Sequence, residues 1–158
     1  MVIRNGNEQD LPRVMDIIAS LGTHFIPESH AYIADDFLNL NSLVYETNCV
    51  VHGFIVWISH SVEIELLWLA IDPMEGRNGV GSCLVEAVLE TATTQRMVIA
   101  KTATIDSQFP EPSVSGLHFQ GTIRFFEKLG FHQCAIVSDF WAIGNHCQML
   151  LKRLDERH

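Results

Sequence analysis

The stretch of this sequence that most constrains its fold is a Gly-rich turn between two apolar segments. Residues 67–88 read LWLAIDPMEGRNGVGSCLVEAV: an apolar run, then Gly76, Gly79 and Gly81, then a helical pattern. Glycines at such a junction let the backbone approach a ligand closely, and the helix that follows directs its first N–H groups and its positive end at the turn. The stretch predicts a strand, a phosphate-binding turn and a helix, although a tight turn without a ligand has the same pattern.

Two common phosphate-binding motifs do not fit this turn. A dinucleotide-binding fingerprint needs a third Gly where Leu84 stands, and the next apolar segment runs into Lys101 instead of an acidic residue for a ribose. A Walker loop has a Gly, four intervening residues and then Gly, Lys and Ser or Thr, and the stretch lacks that order. What remains is a turn that could hold a pyrophosphate on its backbone amides, or a tight turn without a ligand.

The hydrophobic periodicity on both sides of the turn predicts alternating strands and helices. Helical patterns begin near Asp10 and Ser29, directly after Gly79, and in the segment GTIRFFEKLGF. Strand-like segments are VIRN, SLVYETNCVVHGFIVWIS, VEIELLWLAI, RMVIA and FHQCAIVSDFWAIGNHCQMLLKRL. The order is strand, two helices, three strands, helix, strand, helix and two strands, which predicts a three-layer α/β (α+β) fold.

Composition excludes several classes of protein. A chain of 158 residues fits a single domain, here residues 1–158, and 47% hydrophobic with 18% charged residues argues against disorder. No apolar run approaches the roughly 18 residues of a membrane span, and the N-terminal residues lack a secretory signal, so a cytoplasmic protein without a membrane partner is expected. The net charge of −9 disfavours a nucleic-acid partner and is compatible with a cationic acceptor. The cysteines lack paired spacing, so we predict no metal and no disulfide framework, only reduced and mostly buried thiols: Cys49, Cys83, Cys134 and Cys147.

The turn resembles the first signature of the GNAT superfamily, the acetyl-CoA-dependent N-acetyltransferases. That signature is Arg or Gln, two residues, Gly, one residue, and Gly or Ala, entered from a strand that ends in an apolar residue, any residue and Pro. Ile71, Asp72 and Pro73 match the entry, and Gly79 and Gly81 match the turn. Later in the chain, TIRFFEKLGF resembles the second signature, a helix that ends in Phe-Tyr, three residues and Gly-Phe. The resemblance covers nearly the whole chain, fades between residues 24 and 41, and implies a mixed, mostly antiparallel central sheet flanked by helices.

The resemblance also implies acetyl-CoA as co-substrate. Backbone amides of the turn would hold its pyrophosphate: Arg77, Asn78, Gly79, Val80, Gly81 and Ser82. The backbone of the preceding strand would hold the pantetheine arm, with one amide polarising the thioester carbonyl: Leu69, Ala70 and Ile71. Gly76 stands where the signature begins with Arg or Gln, and the Arg follows one position later.

The catalytic groups are predicted from strand alternation and from the resemblance. Alternation places Glu65 on the same face as Ile71, six residues ahead of it, where some similar proteins carry a catalytic Glu, so Glu65 is the candidate general base. It could equally be a solvated charge that orients the acceptor. The Tyr that commonly protonates the leaving thiolate is replaced by Phe126, and Phe119 stands where many members carry Asn. The candidates for the acid are His118, Ser138, Asp139 and a bound water, and His118, in the long loop before the helix, could instead be an ordinary surface residue.

The resemblance implies transfer of an acetyl group to a primary amine, and the acceptor is expected to be a small molecule. The less similar region offers His24, Phe25, His30 and Tyr32 as acceptor contacts. Possible walls of the site are Trp57, Trp68 and the turn SDFWAIGNH, although the two tryptophans are more often core residues. Two other functions fit the same scaffold: a non-catalytic acyl-CoA-binding module, and transfer to oxygen or of longer acyl chains. Dimers are common among similar proteins, so a homodimer is expected beside the monomer.

Overall fold

The computed structural model describes residues 1–22, 25–76, 78–104 and 120–154. The helices are α1 (Leu11–Ser20), α2 (Pro27–Asn39), α3 (Val80–Glu90) and α4 (Gln120–Lys128). The strands are β1 (Val2–Asn5), β2 (Asn41–Thr47), β3 (Val50–Ser59), β4 (Glu63–Ile71), β5 (Met97–Thr104), β6 (His132–Ala142) and β7 (Asn145–Arg153). Single-turn 3₁₀ helices lie at Glu8–Asp10 and Pro73–Glu75. The order predicted from periodicity is confirmed.

The described strands form one seven-stranded sheet in the order β1-β2-β3-β4-β5-β7-β6. Strand β4 pairs with β5 in parallel, while β1 with β2, β2 with β3, β5 with β7 and β6 with β7 are antiparallel. The mixed, mostly antiparallel sheet with flanking helices is therefore confirmed. By their contacts the residues divide into two compact units.

The first unit comprises Met1–Ser59 and Leu66–Thr93. Its core forms where the apolar faces of α1 and α2 pack on the strands, because residues three or four apart on a helix share one face. Phe37 of α2 meets Phe54 of β3 edge to face, with ring centroids 5.8 Å apart. The buried members of this first core cluster are Val14, Ile17, Ile18, Ile33, Phe37, Val44, Val51, Phe54, Val56 and Ala70. Helix α3 buries Val80, Leu84, Val85 and Val88.

The second unit comprises His60–Glu65 and Thr94–His158. The first residues of β4 pair in parallel with Met97–Ile99 of β5. Strand β5 runs antiparallel to β7 from the pair Met97 and Arg153 to the pair Thr104 and His146. Helix α4 buries Ile123 and Phe126, and the Phe126 ring lies 5.1 Å from that of Phe131.

The exposure of the four cysteine thiols differs from the prediction. Cys147 is buried and Cys83 half-buried, but Cys49 and Cys134 are exposed, so the prediction of mostly buried thiols is wrong. Cys49 lies in a hairpin turn and Cys134 on β6, a strand that is exposed on both faces, so neither thiol reaches a core.

No helix in the described ranges has the length and apolar character needed to cross a membrane.

Candidate functional site

The Gly-rich turn forms the junction that its sequence predicts. Strand β4 ends at Ile71, and Asp72 caps the single-turn helix Pro73–Glu75 by accepting a 3.0 Å hydrogen bond from the Met74 amide. The chain then reaches Gly79, the N-cap residue of α3, which has a left-handed backbone with φ of +78°. Gly adopts this conformation with the least strain, and among the described residues no atom beyond its chain neighbours lies within 4 Å of the place where a Cβ would stand. The described part of the chain therefore leaves the space beside Gly79 open.

Among the described residues of the turn, the amides that could bind an anion lie at its end. Val80, Gly81 and Ser82 are the first three residues of α3, and the N–H groups of a helix's first turn have no acceptor within the helix. The amide of Cys83 already bonds the Gly79 carbonyl at 3.0 Å. The Asn78 amide is directed to the Glu75 carbonyl at 3.4 Å, whereas the sequence predicted it as a phosphate donor. Arg77 lies outside the described residues.

The entry to the turn is clamped by Arg13 of α1, a residue that sequence reasoning missed. Its Nε donates to the Val51 carbonyl at 2.8 Å, and its guanidinium is hydrogen-bonded to the Asp72 carboxylate. The Asp72 amide donates to the His52 carbonyl at 2.8 Å. The Met74 amide lowers the pKa of the Asp72 carboxyl, and Arg13 adds to this effect. The clamp fixes the end of β4 and hence the direction in which the turn leaves the sheet.

A second contact inside the turn joins Glu75 to Asn78. One Glu75 oxygen, Oε2, accepts a 3.2 Å hydrogen bond from Asn78 Nδ2. The other, Oε1, lies 3.8 Å from His52 Nδ1, which is buried and has no hydrogen-bond partner within the described part of the chain. The sequence carries no signal for this contact, because His52 belongs to β3 and Glu75 to the turn.

The strand residues predicted to hold the pantetheine arm lie directly before the turn. The parallel pairing of β4 covers Glu63–Glu65, and Leu69, Ala70 and Ile71 lie beyond these paired residues. Leu67 and Trp68 are neighbours, and both pack against the first core cluster. Burial alternates along most of β4, where Ile64, Leu66 and Ala70 are buried and their neighbours are less so.

Glu65, the candidate base, lies in the second unit beside two basic side chains. Its Oε1 accepts a 2.9 Å hydrogen bond from Lys101 Nζ of β5, and its Oε2 lies 3.6 Å from His60 Nε2. The Glu65 side chain is 25% exposed, so solvent reaches the carboxylate. Lys101 also lies 5.6 Å from the centre of the Phe140 ring. The carboxylate is therefore ion-paired, a feature that the sequence alone did not indicate.

Several predicted acceptor residues come together in the first unit. The Trp68 indole donates to Asp36 of α2 at 2.8 Å, and the Phe25 ring lies 6.3 Å from the Trp68 ring. His30 Nε2 lies 3.3 Å from the Phe25 carbonyl oxygen. Tyr32 is exposed, whereas Trp57 is 6% exposed and belongs to the core. His24 lies outside the described residues.

Three residues are predicted to lie near the leaving thiolate: His118, Phe119 and Phe126. His118 and Phe119 lie outside the described residues. Phe126 is 5% exposed and packs between Phe125 and Phe131. Burial raises the pKa of the Cys147 thiol to about 11, so this sulfur is not a thiolate near neutral pH. Among the described residues no three His, Cys, Asp or Glu side chains are grouped as metal ligands.

Comparison with known proteins identifies the architecture. No protein-family model and no curated protein matches the sequence. A GNAT-family protein from Desulfovibrio desulfuricans superimposes with a TM-score of 0.79 and 21% identity, covering 96% of this chain and 98% of that one. An aminoglycoside 6'-N-acetyltransferase complexed with coenzyme A gives 0.76 and 16%, with 97% of both chains covered. The ribosomal-protein-S18-alanine N-acetyltransferase from Escherichia coli gives 0.71 and 16%, covering 96% and 92%. At these identities the comparison shows the fold.

Proposed function

We propose that this chain, which has the GNAT fold, moves an acetyl group from acetyl-CoA directly to a primary amine of a small acceptor. Acetyltransferases share the architecture, and one of them was crystallised with coenzyme A. The names of two of them specify an aminoglycoside and an alanine of a ribosomal protein as acceptors. An amine nucleophile is common to both, whereas the size of the acceptor differs, and the aromatic contact of Phe25 with Trp68 favours a small organic amine.

The observation that carries the proposal is the start of α3. Gly79 has a left-handed backbone, no described residue beyond its chain neighbours fills the space beside it, and the amides of Val80, Gly81 and Ser82 lack helical acceptors. Aligned peptide dipoles add a partial positive charge at this end of the helix. Such a group of donors suits the pyrophosphate of CoA, and the Leu69–Ile71 backbone directly before it would offer hydrogen bonds to the pantetheine arm.

The proposed chemistry needs a base more than it needs an acid. The acceptor amine must lose a proton to attack the thioester carbon, and Glu65 is the proposed base because its carboxylate is fixed by Lys101 and remains open to solvent. The C–S bond breaks as the amide bond forms, and CoA leaves as a thiolate. A thiol with a pKa of about 8.5 leaves without an enzymatic acid at a moderate cost in rate. Phe126 therefore slows the reaction without preventing it.

Two glycine variants test the turn. Gly79 has φ of +78° and Gly144, in the turn between β6 and β7, has φ of +79°, and in the described part of the chain no atom beyond the adjacent residues lies within 4 Å of either Cβ position. Replacing either with Ala imposes a similar backbone strain of about 1 kcal/mol. Acetyl-CoA should raise the melting temperature of the wild type and of Gly144→Ala by several degrees, and that of Gly79→Ala much less. No shift of the wild type at millimolar acetyl-CoA would refute CoA binding.

A non-catalytic acyl-CoA-binding module is the second candidate. The buried position of Phe126 among other rings favours it, because a side chain that protonates the leaving thiolate is absent from that position. A chromogenic disulfide that reports free thiol separates the two functions. An enzyme releases CoA from acetyl-CoA in the presence of at least one amine of a panel that includes polyamines, aminoglycosides and peptides. Binding without release from any of these would support the module. Panels of alcohols and of longer acyl-CoA donors test the remaining alternatives.

We also propose that the protein forms a homodimer. Strand β6 is last in the sheet order, and its large apolar side chains Phe140 and Trp141 are 43% and 46% exposed. An edge strand offers unpaired backbone groups to another chain. For a protein with a net charge of −9, a strand of mostly uncharged residues is suited to meeting a second copy. Light scattering should give the mass of a dimer, and a Trp141→Lys variant should shift it toward the monomer.

A further inference from the structure

We propose that Glu75 limits the affinity of the phosphate-binding turn for CoA, through its charge and through its hold on the Asn78 side chain. This inference rests on the function proposed above, since it concerns the ligand of the same turn. It assigns an affinity-determining role to a carboxylate that the predicted binding set did not contain.

The backbone around Glu75 is fixed from several sides. Its amide donates to the Asp72 carbonyl at 2.8 Å, and the next amide, that of Gly76, donates to the Pro73 carbonyl at 3.3 Å. Asp72 is itself bound by Arg13 and by the Met74 amide. The side chain of Glu75 is 35% exposed, so the carboxylate contacts solvent while the backbone is held by these hydrogen bonds. The carboxylate therefore has a defined place at the entry to the turn.

The hydrogen bond from Asn78 is the first reason for the proposal. Asn78 directly precedes Gly79, and its Nδ2 donates to Glu75 Oε2 at 3.2 Å. A side-chain amide beside a group of backbone amides is a natural further donor to a phosphate oxygen. The Nδ2 group carries two N–H bonds, and while Glu75 accepts from one of them an incoming phosphate has to compete with the carboxylate for it.

Charge is the second reason. Glu75 carries a negative charge four residues before the N-cap of α3, in the segment that leads to the proposed pyrophosphate site. Two like charges within about 10 Å repel each other even where solvent screens them. The neighbouring His52 Nδ1 is 3.8 Å away, a distance longer than a hydrogen bond. The Arg13 guanidinium bonds Asp72 instead. The carboxylate thus weakens the binding of every ligand that bears phosphate.

Weak binding of CoA has a use in the proposed reaction. CoA is the product that has to leave before the next acetyl-CoA enters, and release of product limits the turnover of many enzymes. A carboxylate at the entry to the phosphate turn raises the rate of dissociation without touching the reacting atoms. We therefore expect Glu75 to trade affinity for faster release.

The test compares CoA affinity in matched charge variants by isothermal titration. Glu75→Gln removes the charge but keeps an acceptor for Asn78, and Glu75→Ala removes both. Glu90→Gln, at the exposed last residue of α3, removes the same charge far along the same helix. We expect the Kd for CoA to fall about three- to tenfold in Glu75→Gln and at least as much in Glu75→Ala, and to change less than twofold in Glu90→Gln. Melting temperatures without ligand should stay within a few degrees for all three.

A double-mutant cycle with Asn78→Ala tests the hold on the amide. Once Glu75 is replaced by Ala, Asn78 is free to donate to phosphate, so Asn78→Ala should weaken CoA binding more in the Glu75→Ala background than in the wild type. Pantetheine, which lacks the pyrophosphate, should bind all variants equally. Equal or weaker CoA binding by both Glu75 variants would overturn the proposal. Failure of the wild type and of every variant to bind CoA is a different result, and it would overturn the proposed function together with this inference.

Discussion

Glu65 is held by two side chains that differ in strength of contact. Lys101 donates to one carboxylate oxygen at 2.9 Å, and His60 faces the other at 3.6 Å. A base has to lie within hydrogen-bond reach of the proton that it removes, so a carboxylate with a fixed direction is better suited to this role than a freely rotating one. The same ion pair would also suit a residue that only orients a cationic acceptor, and kinetics separate the two roles.

Replacing Glu65 with Gln should lower kcat by about 100-fold or more with the best amine of the panel, because general base catalysis contributes about this much. The Kd for CoA should stay within about twofold, since the proposed site uses the amides of Gly79–Ser82. Glu63→Gln is the matched control, because Glu63 is half-buried on the same strand two residues earlier. Similar kcat values for both variants, or a change in acceptor KM alone, would show that Glu65 orients the acceptor without removing its proton.

The ion cluster of Arg4 gives the first unit a stability that depends on pH. Its guanidinium bonds both oxygens of Asp10 at 2.9 Å and Glu46 Oε2 at 2.7 Å, joining β1 to the first 3₁₀ helix and to β2. Asp10 is 8% exposed. The hydrogen bonds from Arg4 hold the pKa of the Asp10 carboxyl below its ordinary value, and the Asn7 amide contributes further.

A depressed pKa in the folded state means that the stabilisation is present above the ordinary pKa of about 4 and is lost as the pH falls below it. Arg4→Met should therefore cost about 1–3 kcal/mol in the free energy of unfolding at pH 7, and the difference from the wild type should shrink between about pH 4 and pH 2. Urea unfolding across this range measures both. Arg124→Met, at an exposed site on α4, should cost less than about 0.5 kcal/mol. A pH-independent loss in Arg4→Met would contradict the assignment to Asp10.

At the scale of elements, β3, β4 and the start of α3 meet at Gly53. A Cβ on this residue would lie 2.9 Å from Ile71 Cδ1, 3.0 Å from Val80 Cγ1 and 3.2 Å from the Ala70 carbonyl oxygen. Two of these atoms belong to side chains that can shift slightly, but the third is backbone. The elements that form the proposed CoA site therefore approach each other as closely as a residue without a side chain permits.

Gly53→Ala should destabilise the protein by about 1–3 kcal/mol, because overpacking displaces neighbours from their preferred positions. Since the displaced atoms belong to the end of β4 and the start of α3, CoA affinity should fall as well. Ile71→Val removes Cδ1 and should recover part of both losses in the Gly53→Ala background. Gly121→Ala on α4 is the control, because among the described residues its Cβ would meet Arg124 alone, at 3.9 Å. A loss of stability with unchanged CoA affinity would mean that the junction does not set the geometry of the turn.

The elements around the turn were predictable because their signals are local. The apolar run, the glycines and the periodicity of Leu84 and Val88 lie within one short stretch, and the structure has β4, the turn and α3 there. The clamp was not predictable, because Arg13 and Asp72 are separated by 59 positions and only the packing of α1 brings them together.

At the scale of the whole molecule, a net charge of −9 acts with opposite sign on the two proposed substrates. The field of the protein attracts a cationic amine and repels the polyanion CoA, and salt screens both effects beyond a Debye length of about 8 Å at physiological ionic strength. The proposed donors at the start of α3 would be screened less, because they would touch the ligand. Binding of CoA is therefore expected to depend on short-range contacts, and capture of the acceptor on the long-range field.

Raising the ionic strength from about 20 mM to about 300 mM should increase the KM of a polyamine several-fold and that of a monoamine much less, because the steering free energy grows with the charge of the acceptor. The KM of acetyl-CoA should change little or fall, since screening relieves its repulsion from the protein. Initial rates of thiol release at fixed concentrations of the other substrate measure all three slopes. If the KM of the polyamine and that of the monoamine depend equally on ionic strength, the net charge takes no part in acceptor selection. The preference would then have to arise from contacts such as those of Trp68, Asp36 and Phe25.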